Sequence, residues 1–116
     1  MKIGDLKDVE KNLQAPNSLI AAIVQDRTSK EVLMLAWMNH EALKKTFSTK
    51  QATFWSRSRS ELWVKGESSG NRMHVTEIRY DCDGDALLLL VDAAGPACHT
   101  GESSCFHTHL ELSEEK

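Results

Sequence analysis

Asp81-Cys82-Asp83-Gly84-Asp85-Ala86-Leu87-Leu88-Leu89-Leu90-Val91 sets polar, ligand-bearing chemistry directly against an unbroken apolar run. Six consecutive apolar residues have strand length, and without alternation they read as a strand buried on both faces. A chain of 116 residues, 41% apolar, forms one domain (1–116) with a core of modest size. So small a domain struggles to cover both faces of a strand, so a second copy is expected to supply one cover. The preceding five residues hold three carboxylates at alternate positions around one thiol. Were they extended, Asp81, Asp83 and Asp85 would share one side and Cys82 the other. Hard oxygen donors suit magnesium and thiolates suit zinc, so the stretch is expected to serve two different ions.

Working outward toward the C-terminus, Gly95-Pro96 ends the strand and opens Cys98-His99-Thr100-Gly101-Glu102-Ser103-Ser104-Cys105, which holds the other two cysteines. The spacing is not that of a zinc finger. Fifteen residues separate Cys82 from Cys98 and six separate Cys98 from Cys105. Buried free thiols are the common alternative, but all three sit among polar or small residues. Three protein ligands also match a catalytic zinc, whose fourth position holds water. The aspartates read as a solvated turn or as a cation site. They fail as a twelve-residue calcium loop, because Ala86 and Asp92 stand where glycine and glutamate are needed. Three thiolates leave a zinc site with a net charge near −1 and a weakened Lewis acid, so a neighbouring base is useful; His99 is the candidate proton acceptor. His40, His74, His107 and His109 carry no assignment.

Toward the N-terminus, Met73–Asp81 reads as a strand of mixed register. Leu62-Trp63-Val64-Lys65-Gly66-Glu67-Ser68-Ser69-Gly70 lacks the Walker spacing but ends in a flexible turn with exposed donors. Ala52–Trp55 begins a strand running into Ser56-Arg57-Ser58-Arg59-Ser60, where hydroxyls alternate with guanidinium groups. That pattern suits phosphate, although spacing alone favours a solvated turn. Asn39 is expected to cap a helix that buries Leu43 and Phe47 and ends in Lys44 and Lys45. Leu19–Val24 and Val32–Met38, split by Gln25–Lys30, predict a hairpin with a loose turn. Ile3, Leu6, Val9 and Leu13 predict a short opening helix, and the tail from Phe106 alternates weakly before turning polar. The fold class is therefore α+β, a small mostly β domain with two short helices.

Charge is uneven. Residues 81–116 carry one lysine against eight acids, while residues 1–80 carry thirteen Lys/Arg against nine acids, which leaves cations upstream for an anionic partner. No basic block points to nucleic acid, and no apolar segment is long enough for a signal peptide or membrane span. A cytoplasmic protein with reduced cysteines is expected.

Several long motifs together resemble the phosphoribosyl-AMP cyclohydrolase family, which opens the adenine ring in histidine biosynthesis. They are Ala36-Trp37-Met38-Asn39, Phe54–Arg59, Leu62–Gly70, Asp81–Asp85, Ala97–Gly101 and Ser104-Cys105-Phe106. The resemblance implies magnesium on Asp81, Asp83 and Asp85. It implies zinc on Cys82 of one subunit with Cys98 and Cys105 of the other, in an intertwined homodimer. It also implies a monofunctional chain, since some members continue into a pyrophosphohydrolase domain. The same resemblance implies Arg57, Arg59, Lys65, Ser68, Ser69 and Gly70 as candidate substrate-holding groups. Two rivals are weaker. A nucleotide deaminase needs H-x-E before P-C-x-x-C, and here His109-Leu110-Glu111 follows every cysteine. A zinc-stabilised interaction module would not need the aspartates.

Overall fold

The computed structural model describes residues 2–113; Met1 and the polar end at 114–116 lie outside them. The elements run α1 (Lys7–Glu10), β1 (Ile20–Asp26), β2 (Val32–Met38), α2 (His40–Thr49), β3 (Thr53–Ser56), β4 (Glu61–Val64), β5 (Met73–Tyr80) and β6 (Ala86–Ala93). Four strands form a sheet of order β2-β1-β6-β5, and β3-β4 form a separate ribbon. The domain is α+β, mostly sheet with two helices.

The expected hairpin is β1-β2. Its turn is set by the Asp26 carboxylate, which accepts the backbone N–H of Thr28 (3.0 Å) and Ser29 (2.7 Å), an Asx-type closure. β6 then lies parallel to β1 and antiparallel to β5, so it is an inner strand, as an uninterrupted apolar run requires.

Registers put Ile20, Ala22 and Val24 beside Met38, Ala36 and Met34 on β2 and beside Leu87 and Leu89 on β6, all on one face. Val9, Leu13, Ala42, Leu43 and Phe54 cover that face and complete the core. The opposite face carries Ala21, Ile23, Leu35, Trp37, Leu88 and Leu90, where Leu35 is 43% exposed and Ile23 and Leu88 are half-buried.

β5 owes its mixed register to a bulge: between Val75 and Glu77 the pairing with β6 shifts by one residue. An extra residue flips the alternation, so Met73 and Val75 before it and Ile78 and Tyr80 after it all reach the core side.

Three expectations about the helices are corrected. α1 is one turn long and Ile3 is 98% exposed, because the preceding segment is held against Tyr80 of β5. Asp5 N–H donates to Tyr80 Oη at 3.0 Å, and a Cβ on Gly4 would collide with the same hydroxyl. α2 is capped as expected, Asn39 Oδ1 accepting Ala42 N–H at 2.8 Å, but its buried stripe is Ala42, Leu43 and Thr46, with Phe47 55% exposed. Thr46 takes the inner position because its buried hydroxyl both donates to Thr53 O (3.1 Å) and accepts Thr53 N–H (3.0 Å), tying α2 to β3. Lys44 and Lys45 are mid-helix, since α2 runs to Thr49 and stops at left-handed Lys50. The tail from Phe106 forms no strand among the described residues.

Candidate metal and active site

The carboxylate stretch is a turn and not an extended segment. Gly84 N–H closes on Asp81 O at 3.0 Å, and Asp85 N–H donates to the Asp81 carboxylate at 3.1 Å. Gly84 has φ +71°, and a Cβ there would lie 2.3 Å from Asp8 O, so both the conformation and the space demand glycine. The curl brings oxygens of Asp81, Asp83 and Asp85 within 4.8 Å of one another, all exposed. Asp85 is raised above the ordinary carboxylate range by its hydrogen bond with Asp81 and by the charges of Asp81 and Asp83. Asp81 is lowered: backbone and side-chain donors around it outweigh the upward pull of desolvation. Three converging carboxylates with room for water fit a hard divalent cation.

The turn is held from behind by residues that motif reading missed. Asn12 donates from Nδ2 to Asp83 O (3.1 Å) and Gly84 O (2.9 Å). Tyr80 Oη donates to Asp8 Oδ2 at 2.6 Å, which lowers Asp8 and raises Tyr80. The bond needs Asp8 charged and Tyr80 neutral. Its contribution is therefore present above the ordinary Asp value near 3.8 and is lost as pH falls through the depressed folded value. It is lost again as pH rises past the elevated Tyr80 value, above 10.0. Tyr80→Phe is expected to unfold at lower urea than the native chain at pH 7, with the difference narrowing as pH falls below 3.8 and a remainder left by the lost Asp5 N–H bond to the hydroxyl. A difference that does not narrow would contradict the assignment.

Cys98 and Cys105 lie at the opposite end of the sheet, past the end of β6. Ala97 N–H to Ser103 O, Cys98 N–H to Glu102 O and Gly101 N–H to Cys98 O fold the loop into a tight return. Ser104 Oγ to Val32 O (2.6 Å) and Cys105 N–H to Leu33 O (2.7 Å) pin it to the start of β2. Cys98 is buried, and its thiol is lowered to about 6, first by the Thr100 hydroxyl (3.0 Å) and backbone N–H, with help from His107. Cys105 is pushed up, by desolvation of its sulfur and by the Cys98 charge. His99 is exposed beside Cys98.

The remaining candidates divide between the two ends. Arg57 and Arg59 occupy the exposed β3-β4 turn, as the solvated reading of that stretch had it. Arg57 lies 5.2 Å over the Trp37 ring, and Trp37 pairs through Ala21 with Ala86, at the carboxylate end. Arg59 pairs with Glu61 at 3.4 Å. Lys65 Nζ instead donates to Ala97 O at 2.5 Å, bracing the cysteine loop. The Ser68-Ser69-Gly70 turn is exposed, and Asn71, just after it, packs on Gly95 at the same end.

Cys82 sits in the carboxylate turn, exposed. The length of β6, eight residues, separates it from the Cys98 loop, a strand of about 26 Å. Among the described residues no trio besides the aspartates converges to ligand distance, so the three thiols do not meet within one chain. They fit one tetrahedral thiolate site only if two chains contribute.

Fold and donor sets together define a small α+β protein with a carboxylate turn and a thiol loop at opposite sheet ends. The phosphoribosyl-AMP cyclohydrolase family model matches residues 34–107, which span both clusters. Proteins named phosphoribosyl-AMP cyclohydrolase are similar along most of the chain. That of Mycobacterium tuberculosis is 59% identical over 99 residues (85% of this chain, 86% of the relative). That of Paracoccus denitrificans is 57% identical over 99 residues (85% and 82%), and that of Cereibacter sphaeroides 54% over 100 (86% and 84%). The chain belongs to the phosphoribosyl-AMP cyclohydrolase family. No helix among the described residues is long and apolar enough to cross a membrane.

Proposed function

We propose that the chain hydrolyses 1-(5-phosphoribosyl)-AMP at the N1–C6 bond of the adenine ring, giving the formimino-carboxamide ribotide of histidine biosynthesis, as a homodimer dependent on zinc and magnesium. The observation that carries this reading is the family match across residues 34–107, which takes in the carboxylate turn, the thiol loop and the arginine turn in one frame. Distance supports the dimer, given one site for the three thiols. Cys82 of one protomer joins Cys98 and Cys105 of its partner when two sheets associate with opposite ends together, and the apolar face of Ile23, Leu35, Trp37 and Leu88 supplies the surface to bury.

When bound, zinc supplies water of lowered pKa and magnesium offsets the charge of substrate oxygens. The chain's own groups do the rest. His99 takes a proton from the attacking water. The water oxygen becomes bonded to C6, the N1–C6 bond breaks with its electron pair on N1, and N1 receives a proton. C6 stays on the imidazole ring as a carboxamide carbon and keeps its exocyclic nitrogen. Arg57, Arg59 and the Ser68-Ser69-Gly70 turn hold the two phosphates, and Lys65 keeps the cysteine loop in place.

Ring opening in 18O-labelled water tests the reading: one label enters the carboxamide and no ammonia appears. Ammonia with an intact purine would mark a deaminase, and no turnover by the metal-loaded protein would mark a binding module. Magnesium is separately expected to raise the melting temperature of the metal-free chain. The gain is about 2.7 kcal/mol at a hundredfold excess over Kd, and Asp83→Asn should remove it.

A further inference from the structure

Two polar groups converge on the Cys98 sulfur that metal binding itself does not require. The Thr100 hydroxyl donates to Sγ at 3.0 Å, and His107 Nε2 lies 3.7 Å from the same atom. They arrive by independent routes. Thr100 comes with the turn that Gly101 N–H closes on Cys98 O. His107 is carried back by the segment pinned to β2 through Ser104 and Cys105, with Phe106 N–H donating to Ser104 Oγ at 2.9 Å.

A site of three thiolates around a divalent ion keeps a net charge near −1 and makes a poor Lewis acid, which is the chemical difficulty of this ligand set. A hydrogen bond into a ligating sulfur draws electron density away from the ion, and such outer partners govern both affinity and acidity. We propose that Thr100 and His107 are positioning residues which donate to the Cys98 thiolate, His107 with its proton on Nε2, and so restore acidity to the shared metal site. This inference rests on the two-chain thiolate site of the preceding section. Cys98 is the sulfur so treated.

The test uses the full chain with cobalt(II) in place of zinc, read by the sulfur-to-cobalt charge-transfer band. Thr100→Val and His107→Leu are each expected to move that band to lower energy, because a thiolate without its donor gives up electrons more readily. Thr100→Ser and His107→Gln keep a donor and should return the band toward its native position. Both side chains are exposed, so the fold is not at stake. A band unmoved by Val or Leu overturns the inference while the thiolate site stands. A changed visible ligand-field spectrum in His107→Leu overturns it too, since His107 would then be a ligand. A native protein with no sulfur-to-cobalt band removes the thiolate site itself, and this inference with it.

Discussion

Cys82→Ala is expected to lower kcat/KM for ring opening by about 10⁴-fold or more, with loss of zinc from the purified dimer. The size follows from what one sulfur controls. Activated by a metal, water reaches a pKa near 7, against about 15.7 in bulk, so losing the ion removes many decades of nucleophile at neutral pH. The rate falls by less, because the rarer free hydroxide is intrinsically more reactive. Cys82 is exposed in its turn, so its truncation should change the stability of the metal-free chain by no more than about 0.5 kcal/mol. A stable, zinc-poor and inactive protein is the expected result. A variant with native turnover would show that Cys82 has no part in the chemistry.

Phe54→Ala is the largest expected effect on the fold. Phe54 has no exposed surface and packs against Trp63, the rings tilted by 45° with centroids 5.0 Å apart, at the join of the β3-β4 ribbon with the sheet and α2. Truncating a fully buried phenylalanine costs about 3–5 kcal/mol, against a total near 5–15 kcal/mol for a domain. The urea midpoint should drop accordingly when measured at fixed protomer concentration, since dimerisation contributes to stability. A loss below about 1 kcal/mol would mean that the site collapses around the missing ring.

The residues that were legible in the sequence are those whose role is local. The β1-β2 hairpin shows because Gln25–Lys30 is polar between two apolar runs, and the Asn39 cap because capping is a matter of three residues. β6 shows because only an inner strand tolerates an unbroken apolar run. What was hidden depends on partners distant in sequence. The bulge near Thr76 makes β5 look registerless until its pairing with β6 is known. Phe47 has the right spacing for the core, yet the Thr46–Thr53 bonds rotate another stripe inward. The opening segment's departure from helix could not be read without Tyr80, seventy-odd residues later, to which Asp5 is hydrogen-bonded.

The site divides the same way. The carboxylates and thiols stand out by chemistry alone, but alternation gave the wrong geometry for Asp81–Asp85: a turn closed through Gly84 gathers them. Asn12 carries no signal at all, since an amide twelve residues in looks like any surface side chain. Thr100, a hydroxyl two residues past a cysteine, was a readable hint. That Cys82 and Cys98 stand at opposite ends appears only once the direction of β6 is fixed.

Mixing Cys82→Ala with Cys98→Ala under conditions of subunit exchange tests the shared site most directly. Each variant alone is inactive because both of its thiol sites are damaged. In a mixed dimer both lesions fall in one site and the other is whole, so activity should recover to about half that of the native dimer per mixed dimer. A mixture that exchanges subunits, as shown by its mass, and yet stays inactive would contradict a metal site built from two chains.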